Sequence, residues 1–301
     1  MKKTRYIVKA VSLILLLALL AACSGGNDDT PPAPEPPTPD NPSEPPPTLS
    51  LIVSGSGMTF TSGDKVGVFM AYGSLKQTGN YLQNLLMQSD GSSWAMERSV
   101  SWQDGSTRAD LYVYAPYQAS LADPLACTFE VNSDQSTAER QKASGLLWGR
   151  LTAQSPTANA LTLTLKRLFA RLTVKIEAGE GVTAQDLSGG KLSVRVNGVQ
   201  TQAVVNLSDG SVRPAGAAGN VTPFMEQSLT YSAVIIPQQV AETGLVTVNW
   251  NGTDYTLTQA MTFESGKQHT VTVTIKKTAG TVNVGISQWE TTDEDFGGTV
   301  N

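Results

Sequence analysis

The stretch Leu161-Thr162-Leu163-Thr164-Leu165-Lys166-Arg167-Leu168-Phe169-Ala170-Arg171-Leu172-Thr173-Val174-Lys175-Ile176 decides the fold class. Leu161, Leu163 and Leu165 alternate with threonines, and Leu172, Val174 and Ile176 alternate with Thr173 and Lys175. A period of two sends successive side chains to opposite faces of a strand, so each run has one buried face and one wet face. The same pattern recurs outward, in Leu192, Val194 and Val196, in Val246, Val248 and Trp250, and in Val271, Val273 and Ile275. Threonine on the wet positions suits a half-buried pleated surface. Asn197-Gly198 and Asn251-Gly252 sit between alternating runs and predict two-residue hairpins, while Asp90-Gly91, Asp104-Gly105 and Asp209-Gly210 mark further turns. Helix signals are few: a turn or two within Ala138 to Trp148, one turn at Ala184 to Leu187, and Tyr81 to Met87, which fits a short helix or a strand. The expectation is an all-β protein made of two antiparallel β-sandwich domains.

The chain of 301 residues divides into four parts on composition. Residues 1–22 read as a signal peptide, 23–47 as a linker, 48–160 as a first sandwich and 161–301 as a second, with the boundary after Ser155-Pro156-Thr157. Lys2, Lys3, Arg5 and Lys9 precede an apolar run from Ala10 to Leu20, which at about 11 residues is half of what a bilayer-spanning helix needs. The run ends in Leu20-Ala21-Ala22-Cys23, which resembles the lipobox of bacterial lipoproteins. That resemblance implies a Cys23 carrying diacylglycerol and palmitate-like acyl chains, and several buried chains anchor firmly where one is marginal. No other cofactor is expected. Ser24 to Asp29, acidic and without a basic residue, resembles the surface-export signals of Bacteroidetes lipoproteins, so the expected location is the outer membrane, facing outward. Ten of the 16 prolines fall between Pro31 and Pro47. Such a segment has no apolar face to bury and reads as a polyproline spacer, about 50 Å long at about 3.1 Å per residue.

Charge and residue counts exclude several functions. Lys plus Arg is 21 against 26 Asp plus Glu; taking away the four basic residues of the leader leaves 17 against 26, a balance of −9. A nucleic-acid partner, which needs a basic stripe, is not expected. One histidine, His269, and two cysteines, Cys23 and Cys127, give neither a zinc site nor a disulfide framework. His269 reads as a surface residue at a strand start, and Cys127 as a buried thiol, with an interchain disulfide as the alternative. Arg150, Lys166, Arg167 and Arg171 read as the wet side of strands. Asp293, Glu294 and Asp295 read as a solvated tail and not a metal loop, so no metal site is expected. Trp102 and Trp250, near turns, are the candidates for stacking on sugar, against the commoner role of large aromatics as core. No acid pair and no nucleophile–base spacing is present, so the chain reads as a non-enzyme.

Seven segments taken in order resemble the fimbrillins, pilus subunits of Bacteroidetes. They are Phe60 to Met70, Ala109 to Tyr117, Gly145-Leu146-Leu147-Trp148-Gly149, Leu163 to Ile176, Ile235-Ile236-Pro237-Gln238, Phe263 to Lys267, and Ile286-Ser287-Gln288-Trp289. The resemblance implies adhesion or pilus construction by strand complementation, in which an outside strand fills a vacant sheet position. It implies other pilin-like subunits as partners, with a host or bacterial surface receptor or glycan beyond them. Leu49, Leu51 and Val53 supply the alternate apolar side chains of such a strand, which relatives lose to a trypsin-like protease. This chain departs there. Between Cys23 and Lys65 there is no Lys or Arg, and Lys65 is expected inside the next strand. The reading is therefore an anchor, tip or accessory subunit that keeps its first strand; the alternative is a surface glycan-binding lipoprotein that does not polymerise.

Overall fold

Alternation becomes strand wherever the sequence shows it. The computed structural model describes residues 44–278, 281–286 and 290–292. In chain order its elements are β1 (Leu51–Gly55), β2 (Lys65–Ala71), β3 (Leu82–Ser89), β4 (Trp94–Met96), β5 (Ala109–Ala115), β6 (Cys127–Glu130), α1 (Ala138–Ser144), β7 (Leu147–Gln154) and β8 (Leu161–Arg167). There follow β9 (Ala170–Ala178), α2 (Ala184–Gly189), β10 (Leu192–Asn206), β11 (Ser211–Val221), β12 (Phe224–Gln227), β13 (Thr230–Ile235), β14 (Gln238–Trp250), β15 (Thr253–Phe263), β16 (Gln268–Thr278), β17 (Thr281–Ile286) and β18 (Glu290–Thr292). Helices α1 and α2 are short and start on a capping threonine, Thr137 accepting from the Arg140 N–H and Thr183 from that of Asp186. Tyr81 to Met87, open between helix and strand on sequence, belongs to strand β3.

The described residues form three sheets. The first has seven strands in the order β1-β8-β7-β5-β2-β3-β4; the second runs β11-β10-β14-β15, with β6 added to β10; the third runs β12-β13-β9-β16-β17, with β18 also on β16. Most pairings are antiparallel, as expected, but β1 pairs with β8 and β16 with β9 in parallel. The two Asn-Gly dipeptides part company. Asn251-Gly252 makes the β14–β15 hairpin, with φ 52° and 89°, the double left-handed geometry that dipeptide favours. Asn197-Gly198 is no hairpin: it lies inside β10, where the register slips between Asn197 and Val199 against β11. Gly198 takes φ 70° there, and the bulge bends a 15-residue strand.

Among the described residues, three apolar clusters form the core. One lies on the inner face of the first sheet, from Leu49, Leu51 and Val53 through Val66, Val68 and Leu111 to Leu163 and Leu165. One lies between the second and third sheets, from Leu172, Val174 and Ile176 to Val271, Val273 and Ile275. The last fills the space between the back of the first sheet and β10, with Phe69, Tyr114, Trp148, Phe129 and Val205. The division at residue 160 does not follow these sheets. β8, assigned to the second sandwich on sequence, belongs to the first sheet, and β6, assigned to the first sandwich, belongs to the second. The long Leu161–Ile176 run is a bridge: its side-chain phase changes from odd to even across Arg167–Ala170, and the chain passes there from the first sheet to the third.

The margin strand as candidate functional site

Segment 47–55 is held from two sides. On one side β1 pairs with β8 in register from Leu51 opposite Leu161 to Gly55 opposite Leu165. The Leu161 N–H donates to the Ser50 carbonyl at 2.9 Å and the Ser56 N–H to that of Leu165 at 2.8 Å. The Ser54 and Thr164 hydroxyls lie 3.0 Å apart, within hydrogen-bond distance. On the other side the Leu49 N–H donates to the Val100 carbonyl at 2.8 Å, and the Trp102 N–H to that of Pro47 at 2.9 Å. The Trp94 indole N–H donates to the Val53 carbonyl at 2.7 Å. The first sheet thus curls until its two ends meet across this segment. Leu49, Leu51 and Val53 are 4%, 4% and 5% exposed, whereas Ile52, pointing the other way, is 50% exposed. The alternation read from sequence is realised. The partners at Trp94 and 100–102 left no trace in the alternation pattern, since they bond through backbone and one indole.

The segment leaves through a tight turn. Gly57 has φ 58°, and Gly55 and Met58 form an isolated bridge. β2 begins at Lys65, whose carbonyl accepts from the Tyr117 N–H at 3.2 Å, while the Ser89 N–H donates to the Asp64 carbonyl at 2.9 Å. β2 lies between β3 and β5, and Val66 is fully buried. The Lys65–Val66 bond is therefore built into a sheet, not offered as an extended segment to a protease cleft.

The remaining sequence candidates fall elsewhere. Trp102 is 1% exposed and its indole N–H donates to the Thr157 carbonyl, so it has no free ring face for a sugar: the core role holds and the stacking role is corrected. Trp250, at the β14–β15 hairpin, is half-buried against the core between sheets two and three, its ring 6.5 Å from that of Tyr255. Among the described residues Tyr81 is the large aromatic left most exposed, its hydroxyl donating to the Ser101 carbonyl. Cys127 is 3% exposed, and burial pushes its thiol up to about 12, which keeps it unreactive. His269 is not a surface residue: it is 1% exposed, and its Nε2 accepts from the Glu264 N–H. Burial holds its pKa below the usual histidine value.

The basic cluster also divides. Arg150 and Lys166 lie over the ring of Trp148, at 6.0 and 5.6 Å from its centre, on the wet side as expected. Arg167 and Arg171 are sunk. Burial and then the neighbouring Arg171 bring the Arg167 guanidinium down to about 10, and Arg171 pairs with Glu226. Beside Arg167 a cavity of about 10 Å³, lined by Leu146, Phe169 and Val234, has room for about one water. Among the described residues no three His, Cys, Asp or Glu side chains cluster as metal ligands, and no helix is long and apolar enough to cross a membrane. Cys23, Trp289 and Asp293 to Asp295 lie outside the described residues.

A family model described as fimbrillin-like matches residues 53–289. The chain belongs to the fimbrillin-like family. No curated protein matches it in a sequence search. Among solved structures, a candidate cell adhesion protein of Bacteroides uniformis superposes with TM-score 0.64 at 19% identity, over 81% of this chain and 97% of that one. A candidate cell adhesion protein of Bacteroides ovatus gives 0.62 at 18% identity, over 82% and 97%. The tip fimbrial protein Mfa3 of Porphyromonas gingivalis gives 0.51 at 10% identity, over 81% and 99%. At these identities the likeness is one of fold. The fimbrillin-like fold is all-β here, as the sequence segments implied, and the three structures named carry the descriptions of cell adhesion and fimbrial proteins.

Proposed function

We propose that this fimbrillin-like chain is a surface lipoprotein of the outer membrane, held through acylated Cys23, that works in adhesion or pilus assembly as an anchor, tip or accessory subunit. It keeps its first strand, and so complements its own first sheet instead of opening it to a neighbour. The observation that carries this is the margin strand, bonded along both sides and buried at Leu49, Leu51 and Val53, with no Lys or Arg between Cys23 and Lys65. Its partners in this reading are pilin-like subunits, which it meets by strand exchange at edges other than β1, and a surface receptor. N-terminal sequencing of the surface form tests it. A start at Cys23 is expected; a start near Thr59 or Val66 means that the strand is removed and the reading fails.

A second reading, glycan binding without polymerisation, rests on Trp250, which is only half-buried at its hairpin. Loss of glycan-array signal in Trp250→Ala, with unchanged melting, would favour it.

A further inference from the structure

The β1–β8 ladder is parallel in a sheet whose other pairings are antiparallel. Parallel neighbours need a long crossover and gain slightly less per residue than a hairpin. What parallel pairing changes here is how tension would enter and leave the ladder. β1 is entered at its N-terminal end, at Pro47, by the segment that begins with Cys23. β8 is left at its C-terminal end, at Arg167, by the chain that leads into β9 and the other two sheets. In a parallel pair these are opposite ends of the ladder. A pull between them runs along the strands and strains every rung at once. In an antiparallel pair the same two points would adjoin, and the rungs would open one after another.

The rungs run from Leu51 opposite Leu161 to Gly55 opposite Leu165. The bonds on the other flank, from Leu49 N–H to Val100 and from the Trp94 indole to Val53, also lie across the pull. Movement along the strand would further drag Leu49, Leu51 and Val53, each at most 5% exposed, through a packed core. We infer that segment 47–55 is a shear clamp, which transmits tension from the membrane tether into the body of the protein without releasing its own strand. The ligand-bearing part of a surface adhesin would then stay folded while its cell is pulled by flow. This rests on the proposed uncut, Cys23-tethered state.

Two-point pulling of single molecules tests it. The mature chain from Cys23 to Asn301 is attached through the Cys23 thiol and through a second thiol on β8's surroundings. In one variant, Lys166→Cys, that thiol is at the C-terminal end of β8; in the other, Asn159→Cys, it precedes the N-terminal end. Both positions are exposed, and the buried Cys127 thiol does not compete. The first rupture is expected to need several-fold more force through Lys166→Cys than through Asn159→Cys. In both it should free the chain from Pro47 to Asp64, about 60 Å at full extension. Equal forces, or a first step that releases some other segment, overturn the clamp. Sequencing of the surface form is a separate readout: a cut chain removes the tether from the argument, whereas equal pulling forces remove the clamp from an intact one.

Discussion

The inner core of the first sheet and the core between sheets two and three are dry for different reasons. The first closes on itself at its margin, through the nine residues 47–55. The second presses two faces together, and β9 at its centre is paired on both sides, to β13 and β16. Much of the first core's integrity is therefore gathered into one short marginal strand, while the second spreads it over many strands.

The largest expected break comes from cutting before Ser56. Loss of Leu49, Leu51 and Val53 forfeits about 1.5–3 kcal/mol for each buried side chain, which together rivals the whole stability of an ordinary domain. Hydrogen exchange should show β7 and β8 losing protection while β9 and β16 keep theirs. Equal loss in both regions would mean that the two cores melt as one. Next come single truncations, read from urea midpoints: Leu51→Ala and Leu172→Ala should each cost about 2–5 kcal/mol, Leu172→Ala more because doubly paired β9 cannot shift to fill the cavity. Ile52→Ala, at the exposed position between two buried ones, should stay within about 0.5 kcal/mol.

Tyr114→Phe is a smaller probe of the third cluster. The Tyr114 hydroxyl donates to the Asn84 side-chain oxygen at 2.8 Å and accepts from the Gln118 N–H at 3.1 Å. Removing it strands both partners, at about 1–3 kcal/mol by chemical denaturation. The smallest effect belongs to the second sandwich and depends on pH. Burial lowers the folded-state pKa of His269 below 6.5; Glu264 opposes that and Lys267 adds to it. The unfolded chain takes up the proton first, so stability is full above pH 6.5 and falls as pH drops through 6.5 toward the folded-state value. His269→Gln should flatten that slope and leave first-sheet protection untouched.

What was legible followed from period and composition. Leu49, Leu51 and Val53 showed their buried face, and so did the Leu161–Ile176 run, because alternation is a local property of the chain. The phase change between Leu165 and Leu172 was also present and marks the bridge between sheets, though it needs a partner sheet to acquire meaning. Asn197-Gly198 and Asn251-Gly252 are the same dipeptide, yet one bends a strand and the other reverses it. Strand partners far away in the sequence decide between the two. The parallel pairings were hidden for the same reason. His269 was misplaced because a place at a strand start says nothing of what covers the side chain, and for Trp102 the commoner role as core won over its place beside a turn.

Because β8 lies in the first sheet and β6 in the second, the two halves are braided. A gene divided near codon 160 would give one polypeptide missing the rail on which its margin strand rests, and another missing a stave of its sheet. Recombination can therefore not trade these sandwiches separately, as it trades beads on a string.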